Sequence, residues 1–257
     1  MLKKIFLLLI IFIFVSNICD AKNHNLYDSV MKNGKIVVGI SFDSKPFGYM
    51  DTDGQVKGFE ADLAREIAER LLGDSGKVEF KDIESQDRIG AVKSGDVDMV
   101  ISTMTITFPR RRQVDFSTPY FVAGQAICVK KDDKIDSIYD LINKKVIVII
   151  GTTGEKNIKR FAPNVFIQSY DDNSEAMDAF TKGEADAIST DDALLQGLVA
   201  EDGKYKLLSK RLTREPYGIA FKKSRHTKLF RQKVNEIINE MKHDGTLQTI
   251  KDKWITD

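Results

Sequence analysis

Cysteine and histidine are scarce in this sequence. Its 257 residues include two cysteines, Cys19 and Cys128, and three histidines, at positions 24, 226 and 243. The histidines show neither the spacing of a zinc site nor the pairing with a nucleophile that a catalytic triad requires. We therefore predict neither a metal nor another cofactor. If Cys19 is lost with a cleaved N-terminal segment, Cys128 is the only cysteine, and we expect no internal disulfide. Cys128, in an apolar run, should be a buried part of the core.

A long hydrophobic run is lacking at the N-terminus. The run Ile5–Val15 has eleven apolar residues, whereas a membrane-spanning helix takes roughly 20. Two lysines precede the run, and a C-x-A sequence ending at Ala21 follows it, as in a cleaved signal peptide. We predict a signal peptide over residues 1–21 and a periplasmic protein. The alternative is a lipoprotein acylated at Cys19, which Ile18 disfavours because a small residue normally precedes the acylated cysteine.

An excess of charge of one sign is also lacking. The chain has 39 Lys and Arg against 38 Asp and Glu, a net charge of +1. Loss of the signal peptide would remove two lysines and one aspartate, which leaves a net charge of zero. A neutral chain offers no electrostatic basis for binding nucleic acid or a membrane surface. We interpret the short basic cluster at positions 110–112 as a local feature.

The sequence does have a regular alternation of apolar strands with amphipathic helices. The first series predicts strands that begin at 35, 78 and 99, separated by helices over 59–72 and 87–93. The second series predicts strands over 146–150, 165–167 and 185–188, separated by helices over 155–161 and 174–181. A strand over 217–221 and a long helix over 227–242 follow. This order predicts an α/β fold with two mostly parallel sheets, each flanked by helices.

The two series match in one short segment. Residues Lys93–Val100 align without gaps on Thr181–Ile188. In each segment the predicted end of a helix is followed by a glycine, an acidic residue and a strand. Continued in register, Thr103 falls opposite Asp191. Ligands of open α/β sheets bind at the carboxyl ends of the strands, so a cleft between two such lobes would bring these polar residues face to face.

The stretch Ser102–Arg110 follows the third predicted strand of the first series. Three threonines alternate in it, and an extended segment would place the hydroxyls of Thr103, Thr105 and Thr107 on one face. Arg110 stands just beyond, and its two-pronged guanidinium fits the two oxygens of a carboxylate. The pattern suits a site for a small carboxylate. A threonine-rich strand end with a surface arginine is the alternative.

Two further polar positions follow strands of the second series. Gly151, Thr152 and Thr153 lie between a strand and a helix, where free N–H groups favour a negative group. The turn lacks the ending of a P-loop, and plain N-capping by either threonine is the alternative. Asp191 could cap the next helix or accept an ammonium group. Together with Arg110 on the opposite lobe, it would complete a site for an α-amino acid.

Longer motifs occur in a characteristic order. They are Gly58–Leu63, Gly95–Asp98, Thr105–Thr107 with Arg110, Val114–Tyr120, Gly151–Thr153, Thr190–Ala193 and Pro216–Ile219. In this combination the chain resembles the polar amino-acid-binding proteins of ABC importers, the family 3 solute-binding proteins. The resemblance implies two lobes joined by crossing strands near 120–123 and 212–217. The first lobe would comprise residues 22–121 and 214–257, and the second residues 122–213.

The resemblance also implies a function and a set of binding residues. In such proteins the arginine that matches Arg110 holds the ligand carboxylate, and the aspartate that matches Asp191 takes the ammonium group. Further ligand contacts are expected from Ser41, Thr103, Thr105, Gly151, Thr152 and Thr153. The protein would be a monomer without enzymatic activity. It would capture a polar amino acid between closing lobes and deliver it to an ABC-transporter permease.

Some segments look like the glutamate/glutamine subgroup of this family: Phe42-Asp43, Phe47–Tyr49, Leu71–Asp74, Asp87–Ile89 and Ala123–Ala126. Related members often have lysine where Ser41 stands, so a cation near the pocket is missing here. An arginine at the position of Arg88 lies near the ligand side chain in acidic-amino-acid binders, although a surface arginine reaching Asp87 or Glu84 is the alternative. We predict a moderate preference for glutamate, with glutamine or aspartate as weaker ligands.

An enzyme on the same fold is the rival interpretation. Periplasmic cyclohexadienyl and arogenate dehydratases are similar overall, and they need a carboxylic acid in the pocket as general acid. The sequence assigns no residue to that role, and the subgroup motifs favour a binding protein.

Overall fold

The computed structural model of the protein describes residues 25–255. The predicted signal peptide over residues 1–21, and Cys19 with it, lies outside the described residues. Among the helices in the described range, none is both long enough and apolar enough to cross a bilayer.

Strands and helices alternate through most of the described chain. The elements of the first half are, in order, α1 (Leu26–Asn33), β1 (Ile36–Ile40), β2 (Asp43–Ser44), β3 (Gly48–Met50), β4 (Val56–Lys57), α2 (Phe59–Leu72), β5 (Val78–Asp82), α3 (Arg88–Ser94), β6 (Met99–Val100), α4 (Phe108–Arg111), β7 (Val114–Phe116) and β8 (Phe121–Ala123). The elements of the second half are β9 (Gln125–Lys130), a 3-10 helix (Ile138–Leu141), β10 (Lys145–Ile149), α5 (Thr153–Phe161), β11 (Phe166–Tyr170), α6 (Asn173–Thr181), β12 (Ala187–Asp191), α7 (Asp192–Asp202), β13 (Tyr205–Leu207), β14 (Glu215–Tyr217), β15 (Ala220–Lys222), α8 (Lys228–His243) and α9 (Thr246–Trp254).

The first sheet has the strand order β5-β1-β6-β15-β7, and β1 pairs in parallel with both β5 and β6. Helix α2 contributes to its core, because Leu63, Ala64 and Ile67 recur every three or four residues and are buried. The helix ends where the sequence predicts, since Gly73 adopts the left-handed conformation that closes it. A small sheet with the strand order β2-β3-β4 packs on α2. We call both sheets and the helices packed on them the first lobe.

The second sheet has the strand order β11-β10-β12-β9-β13, and β10 pairs in parallel with both β11 and β12. Its first three strands therefore repeat the arrangement of the first sheet, which confirms the two matched series. Strand β9, which the sequence did not predict, pairs antiparallel with β12 and β13. It holds Cys128 fully buried, as predicted, and burial raises the pKa of that thiol to about 12. We call this sheet and its helices the second lobe.

Two short strands connect the lobes. β8 pairs antiparallel with β14, which confirms the predicted pair of crossing strands. The predicted single strand over 217–221 is wrong, because the chain leaves β14 at Tyr217 and enters the first sheet only at Ala220. Gly218 lies at this step, where its N–H donates to the carbonyl of Met104 at 3.1 Å. A side chain there would collide with Ile106, 2.7 Å from the position of its Cβ.

Candidate functional site

The candidate site lies between the two lobes, at the carboxyl ends of strands from both sheets. The first lobe lines a cavity there with Ser85, Arg88, Thr103, Thr105 and Arg110. The second lobe lines it with Thr152, Thr153, Asn173, Thr190, Asp191 and Leu194. The opposing side chains leave a volume of about 10 Å³, which is room for about one water molecule. A molecule larger than water can therefore enter only when the lining residues of the two lobes move apart.

The structure brings most of the predicted binding residues to this cavity. Gly151, which does not line it, contributes a backbone carbonyl to the side chains that do. Ser41 is buried in a neighbouring cavity, where its hydroxyl bonds to Ser44 at 2.7 Å and donates to the carboxylate of Asp43. The sequence therefore located the cleft, but Ser41 lies beside the central cavity.

The predicted extended segment with three threonine hydroxyls on one face is wrong. Thr103 has a φ of +40°, a left-handed conformation that interrupts any strand. Thr107 is the N-cap of α4, where its hydroxyl accepts a hydrogen bond from the N–H of Arg110 at 3.3 Å. Only Thr105 forms a β-bridge, to Tyr217. The bend turns backbone carbonyl groups, rather than a row of hydroxyls, toward the arginines.

Arg110 connects the two lobes. Its Nη1 donates to the carbonyl of Thr105 at 2.9 Å, within the first lobe, and its Nη2 donates to the carbonyl of Gly151 at 2.9 Å, in the second. The side chain is half-buried, and burial lowers the pKa of its guanidinium below the usual value. The guanidinium stays charged at neutral pH and has donors directed across the cleft.

Arg88 is 2% exposed. Burial lowers the pKa of its guanidinium to about 9, with a further contribution from the nearby positive charge of Arg110. Its hydrogen bonds all go to backbone carbonyls: Nε to Ser85 at 2.8 Å, Nη1 to Ser102 at 2.7 Å and Thr103 at 3.4 Å, and Nη2 to Gly151 at 3.4 Å. The alternative of a surface arginine reaching Asp87 or Glu84 is therefore wrong. Arg88 fixes the backbone around the cavity.

Gly151 is a point of closest approach between the lobes. Its φ is +75°, and a Cβ at this position would lie 2.6 Å from the Cα of Gln86 in the first lobe. Its carbonyl accepts hydrogen bonds from both Arg88 and Arg110. Only glycine combines this conformation with this contact at no steric cost.

The threonines after Gly151 have partners of different kinds. Thr152 is the N-cap of α5: its hydroxyl accepts from the N–H of Glu155 at 3.4 Å and donates to the carbonyl of Ile149 at 2.7 Å. Thr153 instead donates to Oε2 of Glu215, in the connecting strand β14, at 3.1 Å. Thr152 thus caps α5 at the wall of the cavity. Its role as an N-cap is therefore compatible with a position beside a bound negative group.

Asp191 occupies the N-cap position of α7, but its side chain makes no capping hydrogen bond. Its Oδ2 instead accepts a hydrogen bond from the hydroxyl of Tyr217. Burial is the main cause that raises the pKa of the Asp191 carboxyl to about 7. The negative charges of Glu215 and Asp192 add to the rise, and the bond from Tyr217 opposes it. A cationic group beside this carboxylate would stabilise its ionised form.

Glu60 is a supporting residue to which the sequence assigned no role. It is 0% exposed, and its Oε1 accepts hydrogen bonds from the N–H of Thr103 at 2.7 Å and from the hydroxyl of Tyr120. Burial raises the pKa of its carboxyl to about 7. Glu60 thereby holds Thr103 in its left-handed conformation. The only sequence signal was its place in the Gly58–Leu63 motif.

Other residues of the site, both lining and supporting, were also missed. Thr190 and Tyr217 lie within motifs that carry the resemblance, so those motifs could have indicated them. Asn173 and Leu194 lie in helices that approach the cavity only after folding, and no sequence signal marks them. Between residues 25 and 255, no group of three or more His, Cys, Asp and Glu side chains could hold a metal ion.

The sequence matches a known family over most of its length. A sequence model of the bacterial extracellular solute-binding proteins, family 3, matches residues 36–257. The ABC transporter glutamine-binding protein GlnH of Bacillus subtilis (strain 168) is 37% identical over 271 aligned positions, which cover 100% of this chain and 98% of that protein. The glutamine-binding protein of Geobacillus stearothermophilus is 41% identical over 199 positions, which cover 76% of this chain and 75% of the relative.

Solved structures share the fold. A cysteine-binding protein from Campylobacter jejuni superimposes with a TM-score of 0.85 at 31% identity, covering 90% of this chain and 92% of that chain. The ancestral amino acid-binding protein AncCDT-1, described as a precursor of cyclohexadienyl dehydratase, superimposes with a TM-score of 0.83 at 39% identity, covering 90% and 99%. The two-lobed arrangement is therefore that of the amino-acid-binding proteins.

Proposed function

Because the chain belongs to the bacterial extracellular solute-binding proteins, family 3, we propose that it captures a polar amino acid outside the cytoplasmic membrane and delivers it to the permease of an ABC importer. Glutamine is the ligand we infer. The protein would act as an exported monomer, and the predicted cleavage after Ala21 would release it from its signal peptide.

The observation that carries this proposal is the opposition of Arg110 and Asp191 across the cavity. A cation on one lobe and a carboxylate on the other fit the carboxylate and ammonium groups that every α-amino acid has. The Nη2 of Arg110 that donates to Gly151 would transfer its hydrogen bond to the ligand carboxylate. The ligand ammonium would join Tyr217 as a partner of Asp191.

The surroundings of Arg88 favour glutamine over the glutamate that the sequence suggested. A side-chain carboxylate needs a cation with free donors, whereas the Nε and Nη1 donors of Arg88 are held by backbone carbonyls of its own lobe and only Nη2 is directed at the second lobe. The neighbouring cavity adds negative charge, because five acids line it: Asp43, Asp82, Glu84, Asp171 and Asp172. A neutral amide avoids that repulsion. The names of the Bacillus subtilis and Geobacillus stearothermophilus relatives support the same ligand.

A dehydratase is the second candidate function, because AncCDT-1 is described as a precursor of such an enzyme. Two carboxyl groups near the cleft, Glu60 and Asp191, have a pKa raised to about 7, as a general acid would require. Glu60, however, is fully buried behind Thr103 and does not line the cavity. Asp191 is placed to receive the ligand ammonium. We therefore favour binding without chemistry.

Calorimetry with the purified protein tests the proposal directly. Glutamine, glutamate, aspartate, arginine and cystine would be titrated separately, and prephenate and arogenate turnover would be assayed on the same preparation. We expect glutamine to bind most tightly and no turnover. Tighter binding of another amino acid would overturn the choice of glutamine, whereas turnover or the absence of any amino-acid binding would overturn the function.

A further inference from the structure

The lobes make a second polar contact beside the cavity. Asp43, in β2 of the first lobe, accepts a hydrogen bond at 2.6 Å from the backbone N–H of Asn173, the first residue of α6 in the second lobe. The side-chain amide of Asn173 donates to the same carboxylate at 3.2 and 3.3 Å and to the hydroxyl of Ser44 at 3.1 Å. One carboxylate thus holds the N-terminus of a helix in the opposite lobe.

Two residues of the first lobe also hydrogen-bond to the carboxylate of Asp43. The hydroxyls of Ser41 and Ser44 both donate to it, the latter at 3.1 Å. Burial alone would raise the pKa of the Asp43 carboxyl, but the hydrogen bonds from Ser41, Asn173 and Ser44 together hold that pKa below its usual value. The ionised form is therefore the one that the closed arrangement stabilises. This also gives Ser41 a structural role where a ligand contact was predicted.

The contact lies at the edge of the central cavity, which Asn173 lines but Asp43 does not. Asp43 is absent from the cavity lining and instead lines the clefts on either side of the contact. The N–H of Asn173 belongs to the first turn of α6, where a helix leaves its donors without internal partners. A carboxylate is favoured at such a position by both the free donors and the helix dipole. When the lobes separate, the hydrogen bonds between Asp43 and Asn173 break.

We propose that Asp43 and the N-terminus of α6 form a latch that sets the affinity for every ligand by stabilising the closed state, and that the Asp43 carboxylate does so without touching the ligand. The proposal rests on the proposed function, because it assumes that binding requires closure. The apparent dissociation constant of such a protein is the intrinsic constant divided by the fraction in the binding-competent state. A latch therefore changes all affinities by one common factor. A ligand contact would change their ratio.

Two variants remove opposite halves of the latch. Asp43→Ala removes the acceptor. Asn173→Pro removes the backbone donor at a helix position that proline tolerates, and Asp172 before it is already extended, as a residue preceding proline prefers. Because hydrogen bonds to charged groups are the strong ones, we expect each variant to weaken glutamine binding by about 10- to 100-fold. The losses should not add in the double variant.

Matched controls separate the latch from general damage. Asp53→Ala changes an aspartate in the turn between β3 and β4 that pairs with Lys57 at 2.8 Å, so the affinity of this variant should be unchanged. Asn173→Ala keeps the backbone donor and should lose less affinity than Asn173→Pro. Thermal unfolding should show that all variants fold. A weaker ligand, such as glutamate, should lose affinity by the same factor as glutamine in each latch variant.

Small-angle scattering gives a readout that does not depend on the identity of the ligand. The radius of gyration would be measured without ligand and at a glutamine concentration that nearly saturates the wild-type protein. Both latch variants should be larger than the wild type and the Asp53→Ala control in at least one condition. Equal radii in both conditions, or a loss of affinity confined to one ligand, would overturn the latch. If no amino acid binds the wild type, the proposed function fails, and the ligand-free radii alone decide on the latch.

Discussion

The two lobes prepare the candidate site in different ways. In the first lobe, Arg88 and Arg110 are held by carbonyl groups of their own lobe, and Glu60 fixes the backbone that supplies one of them. In the second lobe, the carbonyl of Gly151 and the carboxylate of Asp191 bond to Arg110 and Tyr217, which lie outside that lobe. We therefore expect the first half of the site to be built before closure and the second half to be completed by it.

This difference predicts an order of events. Hydrogen bonds within one lobe survive when the lobes separate, so the guanidinium of Arg110 should still be positioned by Thr105 in the open protein. The groups of the second lobe lose partners on opening and become available to a ligand. We expect an amino acid to meet the first lobe through its carboxylate and to be enclosed by the second through its ammonium group.

The largest expected effect comes from the first lobe. Arg110→Ala removes the cation that we assign to the ligand carboxylate, and truncating one partner of a buried charged pair costs roughly 2–5 kcal/mol. Glutamine affinity should fall by about 30-fold to several thousand-fold. Calorimetry measures the loss, and Arg112→Ala, an exposed arginine of the same basic cluster, serves as the control. Binding within a few-fold of the wild type would remove Arg110 from the site.

A change in the second lobe should act through closure. Gly151→Ala forces a left-handed backbone on alanine and places its Cβ 2.6 Å from the Cα of Gln86. The clash with Gln86 arises only when the lobes are closed, and strain of roughly 1–3 kcal/mol in that state should lower affinity by about 5- to 150-fold. The control is Gly197→Ala in α7, where an added Cβ meets nothing within 4 Å. Small-angle scattering should give Gly151→Ala a larger radius of gyration than the Gly197→Ala control. If both the radius and the affinity were unchanged, closure would not complete the second-lobe half of the site.

The pH dependence of binding should come from Asp191. The pKa of its carboxyl is raised to about 7 in the ligand-free protein, and an ammonium group beside it would lower that pKa. Binding should then release a proton below pH 7, so affinity is constant above pH 7 and falls by up to about tenfold for each unit below it. Glu60 titrates in the same range but does not line the cavity. Asp191→Asn should therefore bind glutamine weakly, with an affinity that does not depend on pH. If the pH dependence persisted in this variant, another titratable group would be its cause.

The sequence predicted regular elements well and irregular ones poorly. Helix α2 was predicted at its observed bounds, because its apolar period and the glycine at position 73 are local signals. The bend at Thr103 was missed, because its left-handed conformation depends on Glu60, 43 positions earlier in the chain. The division of the strand at 217–221 likewise depends on contacts with distant segments. Residue types at the cleft were therefore predictable, whereas the partners that orient them were not.

The smallest expected effect is a change in the ratio of glutamine to glutamate affinity when Arg88 is substituted. If this arginine contacted the ligand side chain, Arg88→Gln would cost glutamate far more affinity than glutamine. The structure instead directs its donors at the carbonyls of Ser85, Ser102 and Gly151, so the variant should loosen the backbone beneath both ligands alike. We expect the ratio of glutamine to glutamate affinity to change by less than about threefold, which is under about 0.7 kcal/mol. Titration of both ligands into both proteins measures it, and Arg88→Lys, which keeps the charge but not the fork of donors, separates charge from geometry. A loss specific to glutamate would instead assign Arg88 a contact with the ligand side chain. It would also make the first lobe the source of specificity as well as of the carboxylate clamp.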